Sequence, residues 1–336
     1  MTPSASSASS PSSLSSLPTL ATADSGTSTT LDVTLCLLLV SAAVGVLAAA
    51  GPPVDDHDPR TADAVADRLT ATTVAVDYVL GSGDGTNTPL EGTASVAARE
   101  RTVQGTPAAL LARAAVADLA VADGAVVGST PAEASPFERA VANRTGRVVA
   151  DVDASVNVTA TYAPVPGSDV HGRATVGPKP PADADVSVVR VRVPVGRGDS
   201  GVHAERATAR GADRDGFAGV ARVLADATVS TVLPTSRARW ALRDAATAGV
   251  VAARYHALGR ALGVDVDAAL DGGDVERANE NLASALADRF ERALREQYDT
   301  PEDAANATAN GWSATAGAGS APRPRTVTVT VRTWSA

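Results

Sequence analysis

Gly198-Asp199-Ser200-Gly201 is the stretch of this chain that comes nearest to a nucleophile loop, a serine held between an aspartate and glycines. Such a serine needs a histidine base positioned in a folded segment. It also wants a further glycine where Val202 stands. The upstream histidines are His57 and His171, with no spacing that ties either to Ser200, so a flexible Gly/Asp loop accounts for the residues. Arg197-Gly198-Asp199 is an adhesion-type tripeptide that means little alone. Asp265, Asp267, Asp271 and Glu276 have part of a calcium-loop spacing, but Ala269 and Leu270 stand where a ligand and the turn glycine belong. Helix-capping and linker roles suit these acids better. Gly81, Gly83 and Gly85 would suggest a phosphate cradle, yet no Lys-Ser/Thr pair follows and Asp84 sits among them. His57, His171, His203 and His256 share no metal-ligand spacing. Arg190 and Arg192 fall on the wet side of an alternating stretch, where solvation is the ordinary role and an anion or partner contact the sharper one. No catalytic, cofactor-binding or metal-binding residue is therefore assigned, no cofactor is expected, and the chain reads as a non-enzyme.

The formal net charge of −9 argues against nucleic acid as a partner, because such binding needs a basic face that displaces counterions. Nearly all cations are arginine, with Lys179 the only lysine, and Ala, Val, Thr and Asp are abundant. This composition reads as that of a halophile, in which carboxylates keep the surface hydrated and salt screens their repulsion. One cysteine excludes an intramolecular disulfide. Cys36 lies inside an apolar run, and Leu35 before it is too bulky for lipoprotein processing.

That run, Leu31–Ala50, is the segment that organises the rest. From Val33 to Ala50 it holds no charge. As a helix rising about 1.5 Å per residue it spans about 27 Å, near the thickness of a bilayer core. The expectation is a transmembrane helix. A signal sequence cut after Ala50 and a buried soluble helix stay open as alternatives. Residues 1–30 form a Ser/Thr-rich leader with no Lys or Arg, expected to be disordered; a start codon set too far upstream would also account for it. Residues 51–60 form an acidic tether. The sequons at Asn143, Asn157 and Asn306 favour placing the remainder outside the cell.

Residues 61–298 are expected to form one α+β domain, an antiparallel sheet packed against a helical layer, strand-rich over 146–195 and helix-rich over 216–298. The spacing predicts helices over Thr61–Thr70, Ala108–Ala122, Ser135–Asn143, Phe217–Val232, Ser236–Leu262 and Asp274–Tyr298. The stripe of the fifth is Trp240, Val251, Tyr255, Leu258 and Leu262. Strands are predicted over Val74–Leu80, Val152–Tyr162, Val170–Val176 and Val186–Val195, the last three as a meander. Residues 299–324 read as a disordered linker. Residues 325–336 read as a terminal strand, with Val327, Val329 and Val331 alternating against threonines, that docks on a sheet edge or on a partner's sheet.

Four pieces carry a resemblance: LDVTLCLLLVSA at Leu31–Ala42, VGPKPPADADV at Val176–Val186, GFAGVARVLADATV at Gly216–Val229 and VRTWS at Val331–Ser335. In them the chain resembles a haloarchaeal family of uncharacterised single-pass membrane proteins, often encoded near type IV pilus-like assembly components. The resemblance covers about four-fifths of the chain, leaves out the leader, and brings no catalytic residues. It implies an accessory role at the cell surface, with the bilayer and envelope or pilus-like proteins as partners. A minor pilin would need a basic residue and a glycine before the apolar run, and these are absent. The alternative is an extracytoplasmic membrane-anchored ligand-binding domain or enzyme of unknown chemistry.

Overall fold

The computed structural model describes residues 59–80, 100–121, 135–195, 201–312 and 321–335. The leader, Leu31–Ala50, most of the tether, Gly81–Gly85 and residues 196–200 lie outside the described residues, so the membrane, nucleophile-loop and phosphate-cradle readings are not addressed by it.

In chain order the elements are α1 (Pro59–Ala71), β1 (Val74–Val79), β2 (Glu100–Gly105), α2 (Pro107–Ala117), β3 (Ala120–Val121) and α3 (Pro136–Val149). Then come β4 (Ser155–Tyr162), β5 (Val170–Val176), β6 (Ser187–Pro194), α4 (Gly201–Asp215), α5 (Phe217–Val232) and α6 (Thr235–Arg243). The chain continues with α7 (Ala248–Leu262), α8 (Asp267–Asp271), α9 (Val275–Gln297), α10 (Pro301–Trp312) and β7 (Thr326–Trp334). The mixed architecture expected from the sequence is present: an antiparallel five-stranded sheet, a two-stranded hairpin of β1 and β2, and helices packed with them.

The main sheet runs β3-β5-β4-β7-β6. The expected meander is corrected, because β6 does not neighbour β4 or β5; the terminal strand lies between β4 and β6, with eight residue pairs to each. Docking on an edge is corrected with it. The physical reason is in the strand itself. Val327, Val329 and Val331 are buried on one side and Thr330 on the other, so both ladders and both faces are used. Two bonds lead the chain into this slot: Tyr162 donates its hydroxyl to the Pro324 carbonyl at 2.6 Å, and Arg323 N–H reaches Pro164 O at 2.7 Å. Helices α1, α2 and α3 pack on the valine side of the sheet. At Gly172 of β5 a Cβ would lie 2.0 Å from the Ala115 carbonyl, so only glycine permits α2 to approach that closely.

Helix starts follow their caps. Thr106 Oγ1 accepts from Ala109 N–H ahead of α2, and Ser135 and Glu138 form a reciprocal capping box on α3. Helix α2 stops at Ala117 rather than Ala122, because Ala120 and Val121 turn to pair with β5. Helix α3 continues to Val149, which moves the strand-rich part to Ser155; Val152 to Ala154 are turn residues and not strand.

The helical part is built on α9, whose Val275, Ala278, Leu282, Leu286, Phe290 and Ala293 are all buried, as the periodicity predicts. It packs on α5. Helices α4 and α5 cross at Gly211 and Gly219, where a Cβ on Gly219 would stand 2.1 Å from the Gly211 carbonyl. Neither α4 nor α10 is predicted from the sequence. Helix α10 occupies part of the expected linker and packs on α4 and α5. Ser236–Leu262 is two helices: Asp244 Oδ1 accepts from Ala246 N–H, Thr247 donates to the Ala241 carbonyl, and the chain turns. Trp240 is consequently 67 % exposed and leaves the buried stripe that Tyr255, Leu258 and Leu262 keep.

Pro234 interrupts another run. Phe217–Arg243 is the one stretch among the described residues long and apolar enough, by length and composition, to cross a membrane. It is split at Leu233-Pro234, and Val220, Leu224, Ala225, Val229 and Val232 are buried in the core, as in the central helix of a globule. The Leu233 carbonyl left free by the break accepts from Asn279 Nδ2 at 3.2 Å; the same amide reaches Thr235 Oγ1, and its oxygen accepts from the Tyr255 hydroxyl at 2.8 Å. One buried asparagine thus ties α5, α6, α7 and α9 together. Burial pushes the Tyr255 phenol up to about 12.

Candidate functional site

The two sides of the main sheet differ in chemistry. Its valine side is core. On the opposite side the register aligns two rows across four strands: Thr175, Thr159, Thr330 and Arg190, then Arg173, Thr161, Thr328 and Arg192. Arg332 lies in the next row between Asn157 and Val188. At strand spacings of about 4.8 Å the patch is about 14 Å wide. None of the outward residues of these four strands is Asp or Glu. In a chain of net charge −9 this is a local reversal of sign.

The centre of the patch is ordered by hydrogen bonds. Asn157 Nδ2 donates to the carbonyls of Pro178 (2.9 Å) and Gly177 (3.4 Å), while its oxygen accepts from Thr159 Oγ1 at 3.1 Å and from Arg332 Nη1 at 3.4 Å. Asn157 and Thr159 are buried, so the wet face expected of this strand is dry at its middle. The margins stay open: Arg173, Thr175 and Arg190 are exposed, and Val188 is an exposed apolar residue beside Arg332. Among the described residues the Arg173 and Arg190 guanidiniums make no hydrogen bond or ion pair. Arg323 stands near Arg192; burial, and then repulsion from that arginine, hold its pKa below the usual range. Guanidinium forks set among threonine hydroxyls suit carboxylates, which accept two parallel N–H bonds from one arginine.

Among the described residues, those singled out by sequence disperse. Arg190 and Arg192 lie on this patch, and His171 is exposed at its border on β5. His256 Nε2 meets Asp267 Oδ1 at 3.0 Å on the surface. Asp265 accepts from Asp267 N–H and Asp274 caps α9 through Arg277 N–H, while Glu276 pairs with Arg239. Among the described residues no group of three or more metal-ligating side chains gathers. Two members of the patch escaped the sequence reading. Arg332 interrupts the Val/Thr alternation of β7, which is a usable signal; Arg173 gives none, because its register with β4 is tertiary.

The sequons have three different settings. Asn157 has its amide committed inside the sheet, which leaves no room for a glycan. Asn143 and Asn306 are exposed on helices, but the threonine of each sequon, Thr145 and Thr308, is buried.

Comparison with curated proteins and with solved structures returns no match. Residues 31–334 match a family of unknown function, DUF7284, which takes in the apolar run at one end and β7 at the other. On that span, the chain belongs to this family of unknown function.

Proposed function

We propose that the protein is a membrane-anchored structural or accessory component of the cell surface, held in the bilayer by Leu31–Ala50, with its folded part outside. It acts by protein–protein interaction, in the assembly of a type IV pilus-like system. The observation that carries the contact is the arginine and threonine face of the sheet, basic in an acidic chain. Its partner on this reading is a protein surface rich in carboxylates. Guanidinium pairs made at contact suit a salty medium, where screening confines charge effects to about 3 Å at 1 M salt. Nucleic acid is disfavoured, because a chain of net charge −9 offers no broad basic surface to displace its counterions.

The test is co-purification from native membranes at native salt, wild type against Arg173→Ser/Arg190→Ser. Both side chains are exposed and unpaired among the described residues, so the fold should survive. A partner retained by wild type and lost by the double variant supports the reading. Equal recovery with both proteins contradicts it.

A further inference from the structure

Strand β6 ends the main sheet on one side: it pairs along its length with β7, and among the described residues no strand pairs with its other side. Val195 N–H donates to the Arg325 carbonyl at 2.9 Å, which fixes the phase of that ladder. In an antiparallel strand each residue turns both of its backbone groups to one side, and its neighbours turn theirs to the other. Ser187, Val189, Val191 and Val193 therefore face β7 with their backbone groups, and Val188, Arg190 and Arg192 direct theirs outward. Pro194 falls in the outward phase, where its missing N–H removes no bond of the sheet. Both faces are incomplete at this margin. Val189 and Val191 are only partly buried, although their register partners on β7, Val331 and Val329, are buried. On the arginine and threonine face, Val188 is 43 % exposed, and Arg190 stands exposed at the outer end of its row.

Among the described residues, one strand thus combines a side without a neighbour, a half-covered valine row and an arginine without an ion pair. One kind of occupant satisfies all three. We propose that the protein takes its partner by strand addition: an extended segment of alternating carboxylate and apolar residues pairs antiparallel with the outer side of β6. This rests on the reading of the arginine and threonine face as a protein-binding surface, and it names the form of the partner. The carboxylate residues stand in hydrogen-bonded pairs opposite Arg190 and Arg192, exchanging backbone bonds with them and bringing carboxylates to the guanidinium side. The apolar residues fall opposite Val189 and Val191, in the closer pairs without backbone bonds, and extend the core by one strand. Main-chain bonds supply affinity and the alternation of side chains supplies specificity. Charges on an edge strand guard it against pairing. Here they disfavour a second copy of β6, which brings arginines to the same face, and admit an acidic strand.

The probe is a fluorescent peptide alternating glutamate and valine, matched to the 8 residues of β6 and titrated by anisotropy into the full-length protein in detergent at native salt. It is compared with three relatives, so that the protein itself is unchanged: one N-methylated on the glutamates, one N-methylated on the valines, and one with all glutamates before all valines. In the added strand the glutamate N–H groups face β6 and the valine N–H groups face away. The alternating and valine-methylated peptides should therefore bind alike. The glutamate-methylated peptide should bind at least about tenfold more weakly, through lost ladder bonds, and the blocked one more weakly than the alternating one. Strand addition is overturned if the glutamate-methylated or the blocked peptide binds as the alternating one does, or if valine methylation weakens binding as much as glutamate methylation. Should Arg173→Ser/Arg190→Ser then abolish that binding, the face still takes carboxylates and the reading above stands. No binding by any peptide also overturns strand addition, while co-purification lost in the same double variant would still support the arginine face. Efficient disulfide-linked dimers of Cys36→Ser/Val188→Cys would place a second copy on β6 and overturn the proposal too.

Discussion

Asn157 shows how one side chain can decide between two readings of a residue. In sequence it is an acceptor for glycan; in the fold its amide holds the loop at Gly177 and Pro178 and its oxygen receives Thr159 and Arg332. Asn157→Ala leaves two carbonyls and two donors to find other partners, and should lower stability by about 2 kcal/mol. Denaturant titration measures this, and mass analysis of the native protein should find no sugar at that position. Asp226 offers a pH-dependent counterpart. Partial burial of this still exposed side chain raises its carboxyl pKa, the neighbouring Arg222 opposes the rise, and Glu280 adds to it. A carboxyl with a raised folded pKa holds its proton more tightly in the fold, so stability falls as pH climbs through the carboxylate range. Asp226→Asn should therefore be the more stable protein at pH 7, and the advantage should vanish on descent to about pH 3, where both states of the wild type are protonated. Urea melts at the two pH values check the sign.

At the scale of elements, β7 is the piece on which the sheet depends. It supplies a full ladder to β4 and another to β6, so without it β6 has no partner strand in the sheet. A variant ending at residue 320 should lose its cooperative thermal transition, read by circular dichroism; a sharp transition in that variant would contradict the central placement. The alternation of valine and threonine made this strand legible, and the 3.6-residue periodicity made α9 legible, because each pattern is local. The slot between β4 and β6 was not legible, since antiparallel strands of similar composition do not reveal their order. Helix α10 was missed for a related reason: its Ala/Asn/Thr composition has a weak apolar stripe, and its packing on α4 and α5 supplies what propensity does not. Helix α4 was hidden by glycine, which at Gly211 serves close helix contact. Of the candidate patch, Arg190 and Arg192 were visible, Arg332 left a signal in the broken Val/Thr alternation of β7, and Arg173 joined them only through register.

For the whole molecule, an acidic chain carries one basic sheet face, and on the proposed reading that contrast gives a direction to its interactions. The family match begins at the apolar run and ends at β7, so the run and the folded part travel together in the family. On the proposed reading the run holds the protein at the membrane and the open face meets a carboxylate-bearing protein. Photo-crosslinking in intact cells asks this most directly. A photoreactive residue at Thr175, exposed on the arginine and threonine face, is compared with one at Glu296, exposed on α9. The expected result is a discrete adduct with an envelope protein from Thr175, in the membrane fraction, and none from Glu296. Adducts from Glu296 with none from Thr175, or recovery of the unprocessed protein in the soluble cytosol, would contradict it.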